Sequence, residues 1–200
     1  MNLIRLLLPL IMLMTACSGS PAAPEGRITL DADAVILTIG DSITTGHPQA
    51  VDQAWPSIVA RDTGREVVNR ARNGATSADV LAGLEALLRE HRPALVIATV
   101  GGNDFLRRQS LADTEVNIRD IATEVTASGA EFLLLGLAEL QRSEVHRLYP
   151  AALDGLSGVH LDATILPHVY GKRSLRADPI HPNADGHRLI AERVMRWLGD

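Results

Sequence analysis

Val35-Ile36-Leu37-Thr38-Ile39-Gly40-Asp41-Ser42 decides how this chain is read. Residues 35–39 are apolar or β-branched throughout, which suits a short strand buried on both faces. Gly40 follows at once. A glycine there lets the backbone turn sharply and presents Ser42 at the carboxyl edge of a sheet. Outward from this strand, short apolar runs alternate with helical patterns. A helix is expected over 53–62 and a short strand over 66–69. A strong helix is expected over 76–90, where Thr76 and Asp79 resemble a capping box and Val80, Leu84, Leu87 and Leu88 share one face. A third strand follows at 95–100. The next helix spans 113–128, with Val116, Ile121 and Val125 among its apolar positions and Gly129 placed to end it. Strands at 132–135 and 159–161 and a last helix at 183–198 complete the pattern. Such alternation makes a parallel sheet with helices on both faces, joined by right-handed crossovers. The expected fold is a three-layer α/β sandwich around a central parallel sheet of about five strands, in which ligands bind beyond the carboxyl ends of the strands.

With 200 residues, the chain has room for one domain with a substantial core. Its formal net charge is -5, and no basic run offers a stripe for tracking phosphates, which excludes nucleic acid as a partner. Aromatic residues make up only 3%, leaving few platforms for stacking bases or sugars. The single cysteine, Cys17, has no internal disulfide partner and belongs to no metal-type cluster, so neither a metal nor a cofactor is expected.

The first residues read as an export signal rather than as part of the fold. Arg5 supplies a short positive region. Residues 6–14 are an apolar run, far short of the roughly 20 residues that span a bilayer. Leu13-Met14-Thr15-Ala16-Cys17 resembles a bacterial lipobox, with Met14 where Leu is usual. The resemblance implies lipidation of Cys17 and attachment to a membrane. Ser18 follows the cysteine in place of an aspartate, which favours the periplasmic face of an outer membrane. Residues 18–26, rich in Ser, Pro, Ala and Gly, look like a flexible tether. The expected organisation is a signal peptide over 1–16, a lipidated cysteine and tether over 17–32, and one folded domain over 33–200.

Four loops carry the chemistry, and each sits after a strand or before a helix on the expected ligand-binding edge. Taken singly, each has a plainer reading as turn or capping chemistry. Ser42 is a poor nucleophile without a histidine base that is itself oriented by a carboxylate. Asp178-Pro179-Ile180-His181-Pro182-Asn183 precedes the last helix, and Asp and His three apart on a tight turn can join carboxylate to ring nitrogen. Pro179 and Pro182 stiffen that turn. The remaining histidines, among them His47 and His187, have no aspartate in that relation and are read as surface residues. Gly101-Gly102-Asn103-Asp104 follows the third strand, where paired glycines allow close backbone approach and the Asn103 amide can donate to a developing oxyanion. Asn73-Gly74 lies before the 76–90 helix, where a glycine amide is a ready anion donor. Asp41 and Asp104 are read as loop-bracing residues, and Arg107 and Arg108 as a solvated pair.

Together the order Ser42, Gly74, Asn103, Asp178-x-x-His181 resembles the SGNH (GDSL) hydrolases over nearly all of residues 35–197. The resemblance implies a flavodoxin-like sheet and a Ser42–His181–Asp178 triad. It also implies an oxyanion hole from the amides of Ser42 and Gly74 and the Asn103 side chain. No G-x-S-x-G elbow is present, which separates the chain from the α/β-hydrolases. Ala54-Trp55-Pro56, the GGND stretch and Ile180-His181-Pro182-Asn183 are similar to the bacterial arylesterases and the periplasmic multifunctional thioesterase/lysophospholipase. The stretch between the fourth strand and Asp178 is shorter than in that enzyme, where it helps form the acyl-binding wall. This counts against long-chain thioester hydrolysis.

The implied activity is hydrolysis of small acyl or aryl esters, with thioesters and lysophospholipids as further candidates. Two alternatives remain at this stage. One is an O-deacetylase of envelope polysaccharide, against which scarce aromatics count. The other is a non-catalytic envelope lipoprotein, against which the intact Ser42, Asp178, His181 and Asn103 count. The apolar residues after Gly136, including Leu137, Leu140, Leu148, Leu166 and Val169, divide between core and acyl pocket in a way the pattern leaves open.

Overall fold

The computed structural model describes residues 28–138 and 144–199. Five strands form one sheet: β1 (Ile36–Gly40), β2 (Val67–Asn69), β3 (Leu95–Thr99), β4 (Glu131–Leu135) and β5 (Val159–Asp162). They are ordered β2-β1-β3-β4-β5, and every pairing is parallel. This is the flavodoxin-like order, whose winding reverses between β1 and β3. Every residue of β1 and β3 is buried, which is why these strands read as near-continuous apolar runs.

The helices are α1 (Ser42–Thr45), α2 (Trp55–Thr63), α3 (Ser77–His91), α4 (Gly102–Leu106), α5 (Leu111–Ala127), α6 (Leu148–Leu153), α7 (Ile165–Gly171) and α8 (Ala184–Leu198). One group packs as α3, α5 and α6 and another as α2, α7 and α8. The capping box expected of Thr76 and Asp79 is present at the start of α3. At the far edge of the sheet, buried Asp162 at the end of β5 accepts hydrogen bonds from Arg193 and from Trp197 Nε1, tying α8 to the sheet.

Several expectations need correction. Of the apolar positions named on α5, Ile121 and Val125 are buried and Val116 is exposed. The buried positions there are Thr114, Ile118, Ile121, Ala122 and Val125, and Val116 lies opposite them on the helix. The apolar stretch after Gly136 forms two short helices. Leu148 and Leu153 in α6 and Leu166 and Val169 in α7 are core, whereas Leu140 lies outside the described residues. The short helices α1 and α4 were not anticipated. The tether does not extend to residue 32: Ile28 is buried, and its N–H donates to the Trp197 carbonyl at 2.8 Å. The signal segment and Cys17 lie outside the described residues.

Candidate active site

β1 delivers Ser42 through a turn that admits only glycine at its start. Gly40 has φ +128°, and a Cβ there would lie 1.9 Å from the Thr99 carbonyl oxygen. Asp41 then caps α1, its Oδ1 accepting from the Ile43 N–H at 3.0 Å. Ser42 is the first residue of that helix. Its carbonyl accepts from the N–H groups of Gly46 and His47, each at 3.1 Å, so the turn is bolted to itself. Asp41 is 2% exposed and also accepts from Thr99 Oγ1 at 3.4 Å. Burial pushes its carboxyl up to about 6, against the opposing pull of the Ile43 N–H, the Thr99 hydroxyl and His181.

The partner loop enters from the other end of the chain. Residues 176–182 fold back on themselves, with an antiparallel bridge between Arg176 and Pro182 and a bond from the Ala177 N–H to the His181 carbonyl at 3.0 Å. Asp178 Oδ1 accepts from the N–H groups of Ile180 at 2.8 Å and His181 at 2.9 Å. Asp178 Oδ2 lies 2.7 Å from His181 Nδ1, and His181 Nε2 lies 3.0 Å from Ser42 Oγ. Burial pushes the Asp178 carboxyl up, but the His181 ring and the Ile180 N–H outweigh it and hold the group below the usual carboxylate range. Asn183 completes the loop by capping α8 through Gly186 N–H at 3.0 Å and donating to the Ser174 carbonyl at 2.8 Å. The Tyr170 hydroxyl donates to the Ile180 carbonyl at 2.9 Å.

Two further loops reach the same place from β2 and β3. Gly74 has φ +76°. Asn103 lies in the first turn of α4, and its Nδ2 donates to the Ala75 carbonyl at 3.1 Å. That bond uses one of the two amide hydrogens and leaves the other free to donate. Arg107, expected to be merely solvated, donates from Nη2 to the Gly74 carbonyl at 2.8 Å. The two loops are therefore clipped together twice. Asp104 is 1% exposed and accepts from the Ser77 N–H at 2.9 Å, so it fixes the Asn103 loop to the start of α3. This agrees with its reading as a brace.

Ser42, Gly74, Asn103 and His181 all line one cleft of about 1120 Å³, which opens beside the reversal point of the sheet. Phe105, Leu106, Leu137 and Ile180 give it apolar walls, and Arg108 and Arg176 are its cations. Sequence reasoning missed Phe105, Tyr170, Arg176 and His47 as cleft residues. The His47 ring meets the His181 ring edge-on, with centroids 4.9 Å apart. His187 is also corrected: it is fully buried, on the α8 face that carries Ile190, Ala191 and Val194. Among the described residues no group of His, Cys, Asp or Glu is arranged to hold a metal ion. No described helix is long and apolar enough to cross a membrane.

Residues 38–189 match the model of the GDSL-like Lipase/Acylhydrolase family. The chain is 33% identical over 173 residues to the Thioesterase 1/protease 1/lysophospholipase L1 of Escherichia coli strain K12, covering 82% of each chain. It is 27% identical over 175 residues to the arylesterase of Vibrio mimicus, covering 82% of this chain and 87% of that one. Among solved structures, a crystal structure of TesA superposes with a TM-score of 0.73 at 33% identity, covering 82% of this chain and 97% of the other.

Proposed function

The chain belongs to the GDSL-like lipase/acylhydrolase family and is an ester hydrolase, and from that premise we propose that it cleaves carboxylic esters through an acyl-enzyme on Ser42. The observation that carries this reading is the unbroken relay from Asp178 to His181 to Ser42, with contacts of 2.7 and 3.0 Å, opening on the cleft. An ionised Asp178 accepts a hydrogen bond from the Nδ1–H of His181, which leaves the Nε2 lone pair facing the Ser42 hydroxyl. As Ser42 Oγ attacks the ester carbonyl, its proton passes to Nε2. The N–H groups of Ser42 and Gly74 and the free Asn103 amide hydrogen receive the oxyanion. Collapse of the intermediate expels the alcohol, which takes the proton from His181. Water then attacks the acyl-enzyme with His181 again as base, releasing the acid and restoring the Ser42 hydroxyl.

The substrates we assign are small acyl and aryl esters. The apolar walls suit an acyl or aryl group, and a volume of about 1120 Å³ leaves room for both halves of an ester. Relatives are named as thioesterase, lysophospholipase and arylesterase. Arg108 and Arg176 would meet a phosphate on the alcohol side, which extends the assignment to lysophospholipids. A profile on p-nitrophenyl esters of increasing acyl length, beside acyl-thioesters, a lysophospholipid and acetylated sugars, tests the assignment. The highest kcat/KM is expected on short acyl chains. A preference for acetylated sugars would move the assignment to O-deacetylation, and turnover of none of these would remove it.

We further propose export and lipidation at Cys17, supported by the apolar run and small residues that precede it. Cys17→Ala should abolish lipid labelling. Wild-type protein that fractionates as soluble and unlabelled contradicts this.

A further inference from the structure

His47 is joined to both halves of the site. Its backbone N–H donates to the Ser42 carbonyl at 3.1 Å, and its ring meets the ring of His181 at 4.9 Å between centroids with an interplanar angle of 76°. This edge-to-face arrangement is the favourable one for ring pairs. The turn that places it has little freedom. Gly46, the residue before it, has φ +94°, and a Cβ there would lie 2.4 Å from the Ala54 Cβ at the start of α2. The His47 ring also lines the cleft and remains exposed.

We propose that His47 is a positioning residue for His181: its ring walls the imidazole into line with Ser42. This rests on the reading of Ser42 and His181 as nucleophile and base. His181 is held at Nδ1 by Asp178 and at Nε2 by Ser42, and an imidazole nitrogen bonds along the plane of its ring. Neither bond prevents the imidazole from tilting out of that plane, and a ring packed at a steep angle does.

The test uses His47→Phe, which keeps an aromatic ring at the position, and His47→Ala, which removes it. kcat and KM on p-nitrophenyl acetate are measured at pH 8. His47→Ala is expected to lower kcat by about fivefold or more with KM changed less than twofold. His47→Phe is expected to keep kcat within about twofold of wild type. A His47→Ala enzyme with wild-type kcat, or a His47→Phe enzyme as impaired as His47→Ala, overturns the proposal. Fluorophosphonate labelling of the wild type separates the two levels. An inactive, unlabelled wild type overturns the active-site reading and this proposal with it. An active, labelled wild type whose position-47 variants match it in kcat overturns this proposal alone.

Discussion

Asp41→Asn is expected to make the protein more stable at pH 8 and to have little effect on stability near pH 4. The carboxyl is 2% exposed, and burial raises it from 3.8 to about 6. Between those values the folded chain keeps a proton that the unfolded chain has released, so stability falls as pH rises through the window. The shift of about two units corresponds to about 3 kcal/mol at pH 8, of which about half is already lost at pH 5. Asparagine keeps the oxygen that accepts from the Ile43 N–H and Thr99 Oγ1, and removes the buried charge. For a domain of this size the gain corresponds to a rise in Tm of about 6–12 °C at pH 8. The same substitution should lower kcat, because the ionised carboxylate attracts the His181 imidazolium. The assay is thermal unfolding of wild type and variant across pH 4 to 8, scored as the difference at each pH. A difference that is the same at pH 4 and pH 8, or a variant less stable at pH 8, refutes the reasoning.

The remaining predictions concern the relay, the oxyanion donors and the second buried histidine. Asp178→Asn should leave the fold intact and lower kcat by roughly 10⁴, because His181 loses the partner that sets its tautomer; steady-state kinetics beside circular dichroism checks this. Asn103→Ala should lower kcat by about 10² to 10³ with KM little changed, and Asn103→Asp should be at least as harmful, since a carboxylate repels the oxyanion. Burial lowers His187 from 6.5 to about 4, with a smaller contribution from His181. Between those values the unfolded chain takes up a proton that the folded chain refuses, so stability falls as pH drops through the window. His187→Leu should therefore gain on wild type by about 3 kcal/mol between pH 8 and pH 4 in chemical denaturation, with the sign opposite to Asp41→Asn.

Much of the fold was legible where local sequence and tertiary role coincide. β1 and β3 are buried on both faces, so their composition alone marks them, and α3 carries its own capping box. The loops bearing Ser42, Gly74, Asn103 and the Asp178–His181 pair were legible because glycines and prolines at turns leave strong local marks. What failed to show was structure that depends on distant partners. α1 has four residues and α4 five, too short to hold as helices without their surroundings. α6 and α7 have Pro150 and Pro167 in their first turns, where proline is tolerated but interrupts the helical pattern in the sequence. The exposure of Val116 was not legible from its apolar character, because it lies on the side of α5 away from Ile118 and Ile121. His47 and His187 carry no local signal at all: one gains its role from a ring near the other end of the chain, and the other is buried on the packed face of α8.

Ser42 Oγ is the atom that becomes acylated in the proposed reaction, and covalent trapping tests that most directly. A fluorophosphonate is incubated with the full chain, and the modified peptide is identified by mass spectrometry, in wild type and in Ser42→Ala. The predicted result is one equivalent of label on Ser42, with activity lost in step with labelling and with neither label nor turnover in Ser42→Ala. An active wild type labelled at another residue, or a Ser42→Ala variant that keeps a quarter of wild-type turnover, would contradict it.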